Sequence, residues 1–230
     1  MIAPPFVGRQ RELGYLRREL LAGRSIVLTG PFGIGRTSLL RHAADEMGRE
    51  WTFVFADLEK SPGEAWRELF AALFPRVWER QRRRGEVKSV QWTRYRVLHR
   101  RSESRRPHVV VLDNVARLSA PRLDFVRRLR EAFQVVAIVE DFLPEDAKAV
   151  LCAALWARPP LRLPHLSQAV TEAYFEECSL RHGFGWGRGE IEGLAQAVGG
   201  FPLGMREAVE SQLRRRKARA SGGARLARGL

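Results

Sequence analysis

The sequence predicts an α/β fold, a five-stranded parallel sheet flanked by helices and followed by a small all-helical lid. Three observations predict it. Short apolar runs alternate with stretches at helical spacing through residues 1–165. Those runs lack the period-two alternation of a half-exposed sheet, as expected when helices cover both faces. After Ser167 the apolar runs stop and only helical patterns remain, which divides the chain into a core at 1–165, a lid at 166–217 and a basic, disordered tail at 218–230.

The elements follow in order. Leu13, Leu16, Leu20 and Leu21 sit at helical spacing in residues 9–21, and Gly23 stops that helix. A first strand is expected over 25–29, a tight loop over 30–35 and a helix from Thr37 to about Met47. Strands follow at 51–56, 109–112, 135–139 and 161–163. The intervening helices are expected at 62–83, 87–101, 121–133 and 144–156. Lid helices fall at 168–182, 189–198 and 203–217.

The loop Gly30-Pro31-Phe32-Gly33-Ile34-Gly35-Arg36-Thr37, with Ser38 behind it, fits G-x-x-x-x-G-K-[ST] with Arg for Lys. Glycines let backbone N–H groups converge on phosphate oxygens, and the following helix start favours anions. The Thr37 hydroxyl suits Mg²⁺. Arg36 keeps the charge of lysine, but its planar fork is wider than an ammonium. A second motif, Val109-Val110-Val111-Leu112-Asp113-Asn114, delivers Asp113 at a strand end, where it joins Thr37 as a metal-site candidate. Asn114 cannot accept a proton at neutral pH. ATP or ADP with Mg²⁺ is the expected cofactor, and hydrolysis is expected to be weak or absent.

Further segments resemble AAA+ ATPases of the STAND and origin-recognition type. Phe6-Val7-Gly8-Arg9-Gln10-Arg11-Glu12-Leu13 resembles the box preceding the phosphate loop, which in that family packs near the adenine. Leu163-Pro164-His165-Leu166-Ser167 resembles the junction to the lid. Gly199-Gly200-Phe201-Pro202-Leu203 resembles the G-G-x-P-L lid motif, whose proline lies against the base. The resemblance covers residues 6–210. Most AAA+ enzymes have a glutamate after the strand-end aspartate, where this chain has Asn114, and some STAND-type proteins also carry Asp-Asn there. The resemblance implies a polar sensor ending the fourth strand, where this chain has Glu140-Asp141. By the same resemblance, Arg158 stands where a trans-acting arginine is expected, and Arg206 where a cis sensor is expected.

Charge gives the partner. Forty Lys and Arg oppose 26 Asp and Glu, a formal net charge of +14. The excess concentrates in residues 76–106 and 211–230. Candidate nucleic-acid contacts are Arg80, Arg82, Arg83, Arg84, Arg94, Arg96, Arg100 and Arg101 in the first segment, and Arg214, Arg215 and Arg216 in the second. Trp92 and Tyr95 interleave with these arginines and could stack on bases, although Trp66, Trp78 and Trp92 also suit a core. Nucleic acid, DNA in particular, is the expected partner, with a homo-oligomer or a protein partner also possible. The alternatives are a STAND-type signalling or scaffolding switch and an active DNA-dependent ATPase. No apolar run of about 18 residues suggests a membrane span. Cys152 and Cys178 lack metal or redox spacing, which fits a cytoplasmic protein.

Overall fold

The computed structural model describes residues 5–99 and 106–226, without the side chains of 219–226. It contains the expected five-stranded sheet. The strands are β1 (Ile26–Thr29), β2 (Thr52–Asp57), β3 (His108–Val115), β4 (Gln134–Val139) and β5 (Leu161–Arg162). Every pairing is parallel and the order is β2-β3-β4-β1-β5. This order sets the end of β1 beside the end of β4, with β3 next in line. Ligands of open parallel sheets bind outside such strand ends.

The buried residues explain the unbroken apolar runs. Val27, Val110, Leu112, Val135, Ala137 and Val139 join one core cluster with Trp66, Phe70 and Phe125. The alternating set, Ile26, Leu28, Val109, Val111, Val136 and Ile138, is buried as well. Strands covered on both faces need no polar alternation.

The helices of the sheet unit are α1 (Gln10–Leu21), α2 (Arg36–Glu46), α3 (Pro62–Leu73), α4 (Pro75–Arg83), α5 (Val90–His99), α6 (Ala120–Ala132) and α7 (Glu145–Leu155). The single helix expected over 62–83 is two helices. Proline disfavours helical backbone in the residue before it, and Phe74, ahead of Pro75, has φ −132° and ψ 56°. Ser61 and Glu64 form a capping box at the start of α3. The helix expected over 87–101 is described as α5; Arg100 and Arg101 lie outside the described residues. Trp92 packs edge-on against Phe70 at 5.3 Å, so its ring belongs to the core rather than to a stacking surface.

The chain divides into two compact units. One comprises Gln10–Phe32 and Arg36–Leu163; the other comprises Met1–Arg9, Gly33–Gly35 and Pro164–Leu230. The second unit holds α8 (Gln168–His182), α9 (Arg188–Val198) and α10 (Pro202–Leu226) around Phe175, Cys178, Ile191 and Met205. Three details differ from expectation. The boundary falls at Leu163/Pro164. The segment before Gln10 groups with the helices, because Val7 packs on their core and Gly8 lies close against Leu166 and Val170. The last helix continues to Leu226 rather than ending at Lys217.

Trp66 and Phe125 join α3 to α6 in an edge contact, with ring centroids 4.6 Å apart. Phe125 is fully buried. Phe125→Ala should therefore cost about 3–5 kcal/mol of stability, read as a lowered midpoint in urea unfolding.

Candidate functional site

The loop 30–35 joins β1 to α2 as expected, with Arg36 and Thr37 opening the helix. Its three glycines adopt positive φ: Gly30 at 147°, Gly33 at 82° and Gly35 at 91°. Side-chain-bearing residues rarely hold such backbone. At Gly33 a Cβ would also stand 2.8 Å from the Leu203 side chain and 2.9 Å from Phe201. The Leu203 N–H donates to the Gly33 carbonyl at 3.2 Å. Pro202 opens α10 with its ring about 4 Å from where a Cβ on Gly35 would lie. The G-G-F-P-L segment thus packs on the middle of the phosphate loop. Gly200 has its own reason: a Cβ there would lie 2.0 Å from the Leu166 carbonyl oxygen.

Arg9 joins the same arrangement. It is buried, has φ 67°, and donates from Nη2 to the Ile34 carbonyl at 3.2 Å. The box at residues 6–9 therefore braces the phosphate loop.

Thr37 and Asp113 meet as the motifs require. Thr37 Oγ1 donates to the Asp113 carboxylate, at 3.0 Å from Oδ2 and 3.3 Å from Oδ1. A hydroxyl and a carboxylate side by side form an oxygen donor pair of the kind Mg²⁺ takes, so these two residues fit that ion.

Arg36 is not free to meet a ligand. Its guanidinium is buried and turned to the end of β4. Nη1 donates to the Val139 carbonyl at 2.5 Å, and Nη2 to Glu140 Oε2 at 2.7 Å. Glu140, at the position of the expected polar sensor, is thus the partner of the loop cation.

Asn114 has a backbone role that the sequence alone did not reveal. It sits at φ 57°, where β3 and β4 shift register between Leu112 and Val115. Asparagine tolerates this left-handed region better than most residues. Its Nδ2 donates to Asp57 Oδ1 at 3.1 Å, and its N–H to Asp113 Oδ1 at 2.9 Å. Asp57, the last residue of β2, therefore belongs to the site. Its position at the end of an apolar strand was the available signal.

The remaining arginines divide by surroundings. Arg158 shares the buried carboxylate of Glu19 with Arg24, at 3.7 Å and 3.2 Å. Arg206 pairs with Glu210 on its own helix. Arg80, Arg82, Arg83 and Arg84 are exposed at the end of α4, with Arg82 and Arg83 near Glu79. Arg94 is half-buried. Arg96 lies over Phe74 and Trp92, with a buried Nε. Arg214 and Arg215 are exposed. Arg216 instead donates to the carbonyls of His182 and Gly183, at 3.0 Å and 2.6 Å, and closes the C-terminus of α8.

Comparison with known proteins agrees with this geometry. A family model described as an AAA ATPase domain matches residues 5–139. Among solved structures, Cdc6p from Pyrobaculum aerophilum superposes with a TM-score of 0.62 at 17% identity, covering 96% of this chain and 65% of that one. Aeropyrum pernix Orc1, solved in complex with DNA, gives 0.55 at 17% identity, covering 93% and 66%. Domain III of the Thermotoga maritima replication initiation protein DnaA gives 0.56 at 13% identity, covering 96% and 88%. The chain thus spans just under two thirds of the Cdc6p and Orc1 chains. No curated protein matches in sequence. With its glycine loop, its Thr37–Asp113 pair and its parallel strand order, the chain belongs to the AAA ATPase domain family.

Proposed function

We propose that this protein binds ATP or ADP with Mg²⁺ at the loop 30–37, hydrolyses it slowly or not at all, and binds nucleic acid through exposed arginines. The carrying observation is the glycine loop between β1 and α2 with Thr37 hydrogen-bonded to Asp113. Backbone N–H groups of the loop and of the first turn of α2 would hold phosphates. Thr37 and Asp113 would hold the Mg²⁺, which neutralises phosphate charge when bound.

The reading of weak hydrolysis rests on residues 113–114. A general base must be able to accept a proton. The Asn114 amide cannot, and it is tied to Asp57. The nucleotide then acts as a bound switch rather than a consumed fuel.

The DNA reading rests on the exposed end of α4, where Arg82 and Arg83 are 69% and 81% exposed. Their ion pairs with Glu79 are surface pairs, which contribute little and exchange readily for phosphate. The likeness to Orc1 in complex with DNA supports the same partner. Arg216 and Arg96 leave this set, because each is engaged within the fold. Arg158 remains a candidate for a trans-acting role at a subunit contact, and Arg206 for a cis sensor within the chain. A protein-partner switch is the second reading, favoured by Trp156, which is 74% exposed beneath the Arg130 guanidinium.

Three results are expected. Gly35→Asp places a side chain and a negative charge in the loop, so ATP and ADP binding should be lost in calorimetry while the circular dichroism spectrum is kept. Unchanged affinity would remove the central claim.

Turnover of the native chain should fall well below about 1 s⁻¹, a common enzyme rate. Asn114→Glu should not supply the 10²–10⁴-fold that a positioned base typically gives. The new carboxylate would sit in strained left-handed backbone and face Asp57, so a lowered melting temperature should accompany an unimproved phosphate-release rate. A large gain in turnover would show that position 114 alone limits hydrolysis.

DNA affinity should fall steeply with salt, with a log–log slope of about −0.9 per phosphate contact. Arg82→Ala, Arg83→Ala and Arg84→Ala together should flatten the slope by up to about three contacts' worth. Arg216→Ala should leave the slope unchanged and lower the melting temperature. Absence of DNA or RNA binding at about 50 mM salt, where phosphate contacts are favoured, would turn the assignment to the protein-partner switch.

A further inference from the structure

We infer that Glu140 makes the phosphate loop selective for a nucleoside diphosphate over a triphosphate, by occupying the loop cation where a third phosphate would need it. The inference rests on the nucleotide-binding reading above and deepens it.

The Arg36–Glu140 pair is nearly closed to water. The two side chains are 7% and 14% exposed. Nη1 of Arg36 is held by the Val139 carbonyl, so the guanidinium is fixed at two points on the end of β4. The backbone that carries the carboxylate is fixed as well. The Glu140 N–H donates to the Val115 carbonyl at 3.1 Å, and the Glu140 carbonyl accepts from the Leu143 N–H at 3.1 Å. The next residue, Asp141, is clamped by Arg162, with Lys148 donating to its carbonyl. The Glu140 backbone therefore cannot shift without unmaking that turn, and its side chain is held by low exposure and by Arg36.

A phosphate loop holds the parts of a nucleotide by different means. Backbone N–H groups cradle the α- and β-phosphates, while the side-chain cation reaches the β- and γ-phosphates. A diphosphate can be held by the loop's N–H groups, the start of α2 and the metal pair Thr37–Asp113, with Arg36 left on Glu140. A third phosphate must lie against Arg36. To use that charge, it must either displace the Glu140 carboxylate or share the guanidinium with it. Displacement strands a nearly buried carboxylate without its partner, which is strongly unfavourable. Sharing sets two anions side by side around one cation. Either route weakens the triphosphate more than the diphosphate, which touches the cation with its β-phosphate alone.

Glu140→Gln tests this directly. The Gln carbonyl can still accept from Arg36, so the fold is kept while the charge is removed. Affinities of ADP and ATP, each with Mg²⁺, are measured by calorimetry for the native chain, for Glu140→Gln and for Glu140→Ala, with melting curves for all three. The native chain should bind ADP at least about tenfold tighter than ATP, since like charges set against each other in a binding site cost more than that factor. Glu140→Gln should tighten ATP by about tenfold with a smaller change in ADP, and Glu140→Ala should shift the ratio in the same direction. Equal native affinities, or an ADP-to-ATP ratio unmoved by both substitutions, overturn the role of Glu140 and leave the nucleotide site standing. Weaker ATP binding in Glu140→Gln overturns it as well, because Glu140 would then be helping to hold the triphosphate. Absence of binding of either nucleotide to all three proteins overturns both this inference and the nucleotide reading beneath it.

Discussion

The central strands are buried on both faces, and that burial dictates where charge can appear. Along β1, β3 and β4 the side chains of both faces are apolar and covered. Polar groups can emerge only where the strands end, so Asp113, Glu140 and the loop after Thr29 gather at the same end of neighbouring strands. A guanidinium brought into that setting must be compensated. Arg36 is buried there, and its partners come from the end of β4, the strand beside β1. The strand order brings the pair together, and the pair in turn ties the start of α2 to the sheet.

Two departures that look independent in the sequence are therefore one. Read singly, Arg36 is a widened lysine and Glu140 is an acid in place of a polar sensor. Side by side at 2.7 Å they compensate each other. Asn114 and Asp57 behave similarly, since an amide donor meets a carboxylate where two carboxylates would repel. Local reading cannot find such pairs, because Arg36 and Glu140 are 104 residues apart and Asp57 and Asn114 are 57 apart.

Much of the fold was legible because it follows from local pattern. Apolar runs bounded by turns gave the five strands to within a few residues, and the glycine spacing gave the loop. Phe74 was missed as a break because Val77 and Trp78 continue the apolar helical pattern past it; the conformational restriction before Pro75 won over that pattern. The arginines were least legible. Their number predicts a polyanion, but composition carries no direction. Arg216 faces carbonyls, Arg96 faces aromatic rings, and Arg122 is buried while holding the carbonyls of Leu58, Glu59 and Lys60. A guanidinium has five donors on a rigid plane, so it serves as a backbone clasp as well as a phosphate contact. Of the candidate arginines described, Arg80, Arg82, Arg83 and Arg84 at the end of α4 and Arg214 and Arg215 on α10 are exposed, while Arg96 and Arg216 are engaged within the fold.

The same internal compensation bears on chemistry. Electrostatic catalysis requires groups held ready for the charge that develops in the transition state and not already spent on each other. Here the loop cation faces Glu140, and the residue after Asp113 gives its amide to Asp57. The glycine backbone and the Thr37–Asp113 pair keep the parts that hold a nucleotide. On the proposed function, the residues placed to promote its hydrolysis, Arg36 and Asn114, are committed to contacts within the protein. On that reading binding and turnover are separable in this site, because the first would depend on backbone N–H groups and a metal pair, and the second on side chains that have found partners elsewhere.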